Sequence, residues 1–556
     1  MPTLHRQALV GAAGLALAGV LLVYLAFTYT TVTVPAQGGA YVEGIAGFPF
    51  AINPLMVAYN EADRDIASLV FSGLTRLNAR GEVEPDLAVK WEVSLDGLTY
   101  IFHLRPGVRW HDGVSLTADD VLFTVRMLQD PDSPVPSDLR NLWSTVQAVK
   151  EDDLTVRFVL AEPFAPFLDH TTVGLLPAHV LENVPAADLS NHDFNLHPIG
   201  TGPFQVEAVD LEGENHSVLL RRAPLYYGPR PYLERVRFRF YPSDQSVFRA
   251  YQVGEVEGVA QVPLEILPQA RREERLNLYS APIARQALVF LNLGKKEELP
   301  FFQEKEVRQA LMYGLDRQAL VDNVLQGQAL VAHSPILMGT WAYYEGIHRY
   351  EYAPALAGAL LDKAGWTLTP GTPVRTKGEQ RLSFTLLVPT DSLQIAVAQE
   401  IARQWGQIGV EVSVATAAPV DVQQALERRD YQAALAELAL PGHPDLYPFW
   451  HQTQITGGQN YAGLDHRRIS EVLETARITV DPNRQKEFYR EFQELFAEEV
   501  PAILLYQPVY TYGVDQKIQN VQMGPLMYPS DRLSTLSSWY IATRRTIVSQ
   551  VERGRQ

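Results

Sequence analysis

Apolar residues form an unbroken stretch near the amino terminus, where residues 8–27 are all apolar or glycine. A helix over that stretch would be about 30 Å long, which matches the hydrocarbon core of a membrane. Arg6 precedes the stretch, and no Lys or Arg follows it before Arg64. The positive-inside rule therefore places the amino terminus in the cytoplasm and predicts that the rest of the chain is exported.

The apolar stretch has two interpretations. A signal peptide cleaved after Ala36 would release the chain, whereas an uncleaved segment would anchor it to the membrane. The apolar region of a signal peptide usually has about 7–15 residues, and residues 8–27 form a longer run. The retained anchor is therefore the favoured interpretation, with residues 1–7 in the cytoplasm and residues 28–40 as a polar linker.

Further along, the spacing of apolar positions predicts both strands and helices. Residues 382–388 form a strand-like run, residues 395–408 have helical spacing, and residues 410–414 alternate as a strand. This order predicts a βαβ unit with two parallel strands. Asp481-Pro482 indicates the start of another helix, because Asp is a good N-cap and Pro fits the first helical position.

A different pattern precedes these elements. Asp96-Gly97 lies between the alternating segments 91–93 and 99–104, which is typical of a β-hairpin. The chain therefore combines parallel βαβ units with antiparallel hairpins, and we expect a mixed α/β fold.

The composition is that of a large folded protein. The chain has 556 residues, of which 46% are hydrophobic and 20% charged, which excludes global disorder and an isolated small module. The 64 acidic and 47 basic residues give a net charge of −17, which argues against nucleic-acid binding. The chain contains no Cys, so disulfides, a thiol nucleophile and a lipid anchor on cysteine are excluded.

Signatures of catalysis are missing from the sequence. There is no Gly-x-Ser-x-Gly elbow, no HExxH zinc motif and no Gly-Lys-Ser/Thr phosphate loop, so we expect no enzymatic activity, no cofactor and no metal. Two loops remain candidates for ligand contact, one with His443 and Asp445 and the other with Trp341 and Tyr343. Core packing is the alternative interpretation for both loops.

Distinctive short blocks lie along the chain from about residue 41 to about residue 540. They are Asn53-Pro54, Phe71-Ser-Gly-Leu74, Glu84-Pro-Asp-Leu-Ala88, residues 91–105 and 106–113, residues 116–123, Pro198-Ile-Gly-Thr-Gly-Pro-Phe204, residues 226–231 and 307–317, Leu360-Leu-Asp-Lys-Ala-Gly-Trp366, residues 405–410 and Gln459-Asn-Tyr461. In number, order and spacing these blocks resemble the family 5 solute-binding proteins of ABC transporters, the dipeptide- and oligopeptide-binding group.

This resemblance implies a two-lobed periplasmic-binding-protein fold of the α/β class (type II, cluster C-like) with an extra small domain, preceded by the transmembrane or signal helix. The implied parts are lobe I (residues 41–70, 198–282 and 507–541), the extra domain packed on it (71–197), lobe II (283–506) and a C-terminal tail (542–556).

The resemblance also implies a function in binding and transport, with no catalysed reaction. The chain would be an extracytoplasmic receptor of an ABC importer, a monomer that closes around an oligopeptide or small solute and delivers it to permease subunits in the membrane. Two alternatives stay open, namely a sensory or signalling receptor with the same fold and an importer receptor for a non-peptide solute. A secreted hydrolase is the least supported class, because no nucleophile or metal constellation is present.

The sequence departs from the family pattern at two places. Leu440 stands about where dipeptide binders of this kind place an aspartate for the ligand ammonium, and the loop 388–393 contains no Arg for the ligand carboxylate. A buried charge needs a partner, so the resemblance favours an oligopeptide held through its backbone, or another solute, over a zwitterionic dipeptide.

Residues matching the pocket segments of the family are expected to contact the ligand by hydrogen bonding and stacking. They are Glu43, Gly44, Ile45, Phe50, Trp341, Tyr343, Leu440, His443, Asp445, Asn460 and Tyr461. Glu43 and Asp445 have a purely structural role as their alternative.

Overall fold

The computed structural model describes residues 11–21, 31–213, 216–369, 371–440 and 442–547. Its strands are β1 (Thr31–Pro35), β2 (Ala40–Ala46), β3 (Thr75–Leu77), β4 (Val83–Pro85), β5 (Ala88–Val93), β6 (Thr99–Leu104), β7 (Val146–Asp152), β8 (Thr155–Leu160), β9 (Phe204–Asp210), β10 (Ser217–Arg222), β11 (Arg235–Tyr241), β12 (Gly258–Val259), β13 (Leu276–Pro282), β14 (Arg285–Leu291), β15 (Ala329–Val331), β16 (Thr376–Lys377), β17 (Gln380–Arg381), β18 (Ser383–Pro389), β19 (Glu411–Ala417), β20 (Ala433–Ala439), β21 (Ala502–Asp515) and β22 (Thr543–Ile547).

The α-helices are α1 (11–21), α2 (Glu61–Val70), α3 (Ala118–Gln129), α4 (Ser137–Trp143), α5 (Phe167–His170), α6 (Ala178–Leu181), α7 (Asp244–Gln252), α8 (Leu267–Ala270), α9 (Lys305–Tyr313), α10 (Arg317–Asn323), α11 (Pro354–Lys363), α12 (Ser392–Gln407), α13 (Pro419–Arg428), α14 (Tyr447–Trp450), α15 (Arg467–Ile478) and α16 (Pro482–Glu499). Short 3₁₀ helices cover Val57–Tyr59, Ala186–Asn191, Asp193–Asn195, Pro300–Gln303, Gln452–Ile455, Pro529–Leu533 and Leu536–Ser538.

The local predictions are confirmed. Strands β18 and β19 are parallel and are connected by α12, which is the predicted βαβ unit. Strands β5 and β6 form the predicted antiparallel hairpin, with Gly97 at a φ of 70° in its turn. The Asp481 carboxylate accepts hydrogen bonds from the backbone N–H groups of Asn483 and Arg484, which caps α16 where the sequence predicts its start.

One long strand organises the largest sheet, which joins 12 of the described strands. The first half of β21 pairs with β14, which continues outward through β20, β18 and β19. Its second half pairs with β13 and β12, and through β12 the sheet continues to β2, β11, β10 and β9. A separate antiparallel sheet has the order β5-β6-β8-β7.

Two large hydrophobic cores lie along this arrangement. Core A consists of buried residues between Ala287 and Tyr506. Core B consists of buried residues between Tyr41 and Ile283 and between Tyr510 and Trp539. Because β21 runs from one core into the other, the boundary between the cores falls near the middle of that strand.

Residues 31–35 and 543–547 form two strands that the sequence does not predict. Strand β1 lies within the predicted linker and pairs antiparallel with β22, which lies within the predicted C-terminal tail. Residues 31–35 of the predicted linker and residues 543–547 of the predicted tail are therefore paired strands. The alternation Thr-Val-Thr-Val suits a strand, but its partner is far away in the sequence and leaves no local signal.

The predicted membrane segment lies partly outside the described residues, since residues 8–10 and 22–27 are not among them. Helix α1 covers the part that is described, and its residues are exposed. Among the described residues, no helix has both the length and the apolar character needed to cross a membrane.

Residues 71–197 contact core A through a polar interface. The backbone N–H of Ala165 donates to the Arg477 carbonyl at 2.9 Å, and the Arg477 guanidinium lies 5.0 Å from the ring centre of Phe164. The Asp169 carboxylate accepts a hydrogen bond from the backbone N–H of His443. This interface holds residues 71–197 against the loop that carries His443.

The Asp169 carboxyl gives this interface a dependence on pH. Burial raises the pKa of Asp169 to about 7, and the nearby Asp445 carboxylate adds to the shift. A raised pKa means that the folded state retains a proton that the unfolded state loses above its own pKa of about 3.9. The stabilising contribution of Asp169 is therefore complete below about pH 4 and is lost as the pH rises through 7.

We predict that the stability of the wild type, relative to Asp169→Asn, falls as the pH rises from 5 to 8. Each pH unit below the raised pKa changes the difference by up to about 1.4 kcal/mol. Burial lowers the pKa values of His170 and His443 to about 4, so their contribution to stability changes with pH in the opposite direction. Both histidines are present in the wild type and in Asp169→Asn, so their contributions cancel in the difference between the two proteins.

Chemical denaturation at pH 5, 6, 7 and 8 measures the difference, and the exposed Asp188→Asn is the matched control. If the difference in unfolding free energy between wild type and Asp169→Asn does not depend on pH, the raised pKa of Asp169 is contradicted.

Candidate functional site

A cavity of 380 Å³ lies where β21 passes between the two cores, and we call it the central cavity. Its residues on the core B side are Gln261, Val262, Pro263, Leu264, Glu265, Tyr510, Thr511 and Pro529, those on the core A side are Arg285, Leu325, Gln328, Asp391, Leu393, Glu437 and Tyr506, and those on the crossing segments are Ile283, Pro508 and Val509. This volume is within the range of about 300–1,000 Å³ that is usual for ligand pockets.

The crossing segments form the base of the central cavity. The backbone N–H of Ile283 donates to the Pro508 carbonyl at 3.0 Å. The side-chain amide of Gln507 donates back to the Ile283 carbonyl at 3.1 Å. These two bonds tie together the two places where the chain crosses between the cores.

Charged side chains stand on the core A wall of the central cavity. Glu437 on β20 and Arg285 on the neighbouring β14 form an ion pair at 3.5 Å. Asp391 precedes α12, and its carboxylate accepts a hydrogen bond from the backbone N–H of Gln394 at 2.9 Å. The loss of water inside the cavity raises the pKa of Glu437, Arg285 opposes that shift, and Asp391 adds to it.

The opposite wall is mainly neutral. The Thr511 hydroxyl donates to the side-chain oxygen of Gln328 at 2.7 Å, and the Tyr510 hydroxyl donates to the Ala260 carbonyl at 2.5 Å. Glu265 is the acid on this side, and Leu264 supplies apolar surface. Apolar surface with a few polar groups is the usual composition of a site that holds an organic ligand.

The predicted contacts Glu43, Gly44 and Ile45 do not line the central cavity. Glu43 is fully buried, and its carboxylate accepts hydrogen bonds from Arg532 at 3.0 and 3.1 Å and from the Tyr512 hydroxyl at 2.8 Å. Gly44 and Ile45 continue along β2, where a Cβ on Gly44 would lie 2.7 Å from Val247. The structure thus gives Glu43 the structural role that the sequence leaves open.

Phe50 and the pair Asn460 and Tyr461 also lie away from the central cavity. Phe50 is 67% exposed. The Asn460 side chain is fully buried and donates to the carbonyls of His451 and Leu464 at 3.1 and 2.9 Å. The Tyr461 ring packs edge-on against Phe290 at 5.6 Å within core A. These contacts satisfy both residues inside the protein.

The structure brings Leu440, His443, Asp445 and the Trp341 loop together. The first three line a smaller cavity of 100 Å³. The Trp341 ring lies 5.4 Å from the His443 ring, and the half-buried Tyr343 follows in the same loop. Asp445 is not free, because Arg477 pairs with it at 3.2 Å.

Sequence reasoning missed the four charged residues of the central cavity, which are Glu265, Arg285, Asp391 and Glu437. Asp391 lies in the loop after a strand of the predicted βαβ unit, and ligands often bind at the carboxyl ends of such strands. Glu437 is a single charge within the apolar run of β20. The sequence alone could have indicated Asp391 and Glu437 by these two signals. Arg285 is identified only by the pairing of β14 with β20.

Comparisons with known proteins give a consistent family assignment. The family model described as "Bacterial extracellular solute-binding proteins, family 5 Middle" matches residues 82–460. The oligopeptide-binding protein AppA of Bacillus subtilis is 29% identical over 522 residues, which cover 91% of this chain and 92% of that protein. The dipeptide-binding protein of Escherichia coli is 25% identical over 532 residues, with 91% of this chain and 96% of that protein covered.

A solved structure extends the similarity to the fold. The structure of Bacillus subtilis AppA in complex with a nonapeptide has a TM-score of 0.68 and 28% identity, and the match covers 92% of this chain and all of that one (100%). The family model, the two relatives and this structure agree with one another. The chain belongs to the family 5 bacterial extracellular solute-binding proteins.

Proposed function

We propose that this chain is the extracytoplasmic receptor of an ABC importer and that it binds peptides in the central cavity. The observation that carries the proposal is the position of this cavity at the strand that joins the two cores. A ligand there would contact both cores at once and would favour their closed arrangement. The name of the AppA relative and the nonapeptide in its structure support a peptide as the ligand class.

The proposal divides the chain into lobes at the central crossings. Lobe II comprises residues 283–506, and lobe I comprises residues 41–70, 198–282 and 507–541, with residues 71–197 as the extra domain. The two crossings at Ile283 and Pro508 support these boundaries, because the sheet changes there from one core to the other. Closing of the lobes would present a joint surface to permease subunits, with the receptor acting as a monomer.

We predict that peptides stabilise the purified protein against heat. A ligand present at 100 times its Kd adds about 2.7 kcal/mol to the free energy of unfolding. Thermal unfolding with dipeptides, tripeptides and peptides of up to about nine residues measures the effect and its dependence on length.

Val509→Trp, which fills the central cavity, should remove this stabilisation, and Val420→Trp on the exposed surface of α13 is the control. Stabilisation by a non-peptide solute with none by any peptide would overturn the proposed ligand class.

We also propose that residues 8–27 remain as an anchor. The pairing of β1 with β22 supports retention, because cleavage after Ala36 would remove all of β1 and leave β22 without its partner. The absence of Cys supports it further, since the chain cannot be lipidated on that residue.

The full-length chain should therefore stay with membranes after washing with high salt, and a chain starting at Thr31 should be released. Sequencing of the mature amino terminus gives an independent measurement, and a start near Gln37 would contradict the anchor.

A further inference from the structure

The central cavity is unbalanced in charge. Among the described residues that line it, Glu265, Asp391 and Glu437 are acidic and Arg285 is basic. The cavity itself is defined independently of these charges, by apolar side chains such as Leu264 and by the crossing strand β21. Its ligand must therefore fit a volume that carries an excess of negative charge.

Arg285 does not neutralise Glu437 fully. The distance between the guanidinium Nη1 and the carboxylate Oε1 is 3.5 Å, which is long for a charge-assisted hydrogen bond. Both side chains also remain accessible, at 43% for Arg285 and 29% for Glu437. A ligand entering the cavity can reach the Glu437 carboxylate without first breaking a tight ion pair.

A second carboxylate strengthens the preference for a cation. Asp391 and Glu437 line the same cavity, and the charge of Asp391 raises the pKa of Glu437, so the two carboxylates repel each other. A positive group placed near them relieves this repulsion and gains attraction from both, and the gain is greater where the walls exclude water. An anionic group would instead add a further repulsion.

We infer that Glu437 and Asp391 receive a cationic group of the bound peptide. The group is an ammonium or guanidinium, supplied by the peptide amino terminus or by a Lys or Arg side chain. This inference rests on the proposed function and deepens it, because it assigns a charge preference to the same cavity. It predicts a receptor that selects peptides with a positive charge at the point where they meet β20.

Four peptides of one otherwise neutral sequence test the inference. They combine a free or acetylated amino terminus with Lys or norleucine at one position, so that the two sources of positive charge are varied separately. Calorimetric titration into the full chain in detergent gives a Kd for each peptide. We expect at least one of the two charges to improve binding about tenfold or more, the usual scale for hydrogen bonds to charged groups.

Three variants locate the effect. Glu437→Gln should remove most of the advantage of the cationic peptide, and Arg285→Gln should enlarge it, because the competing positive charge is gone. Glu487→Gln, an exposed acid on α16, is the matched control and should leave the advantage unchanged. The advantage should also shrink as the salt concentration rises, since the carboxylates are partly exposed.

The outcomes separate this inference from the proposed function. If all four peptides bind equally well, or if Glu437→Gln keeps the preference, the inference is overturned and the peptide receptor stands. If the acetylated norleucine peptide binds best, the cavity prefers neutral ligands and the inference is likewise overturned. If no peptide binds the wild type, the proposed function fails and the inference falls with it.

Discussion

The pairing of β21 with strands of both cores is the constraint on which the rest of the structure depends. Its first half pairs with β14 and its second half with β13 and β12, so one continuous strand belongs to both halves of the sheet. Backbone pairing fixes the register on each side, because a shift by one residue would turn every side chain to the other face. The central cavity, its base and its charged wall all follow from this one strand.

A buried ionic network fixes the end of the chain relative to this strand. Arg532 pairs with Glu43 on β2 at 3.0 Å and with Asp65 on α2 at 2.5 Å. Removing one partner of a buried pair leaves an uncompensated charge, which is usually far more costly than the net value of the pair. The network therefore holds the segment after β21 against the start of core B. It also fixes the position of the Glu43 side chain inside the protein.

Local signals in the sequence were sufficient for local structure. The βαβ unit of β18, α12 and β19, the hairpin at Gly97 and the cap at Asp481 each depend on residues that are close in sequence. The long-range structure, and with it the candidate site, depends on residues that are distant in sequence. Glu43 meets a partner at Arg532, and β1 meets β22, across almost the whole chain. The sequence predicts Asn460 as a ligand contact because the carbonyl groups that its buried side chain binds cannot be identified from sequence. Arg285 is brought to the cavity by the pairing of β14 with β20, which also has no local signal in the sequence.

The central claim is that a ligand joins two lobes that move about the crossings of the chain. Because the chain contains no Cys, the double variant Val253→Cys and Val420→Cys places one spin label on each proposed lobe, at positions that are 73% and 61% accessible. Pulsed electron paramagnetic resonance then gives the distance distribution between the labels with and without a saturating peptide. The account predicts that the peptide shifts the distribution to a distinct and narrower one, and that Val509→Trp prevents the shift. An unchanged distribution at saturating peptide would contradict the account.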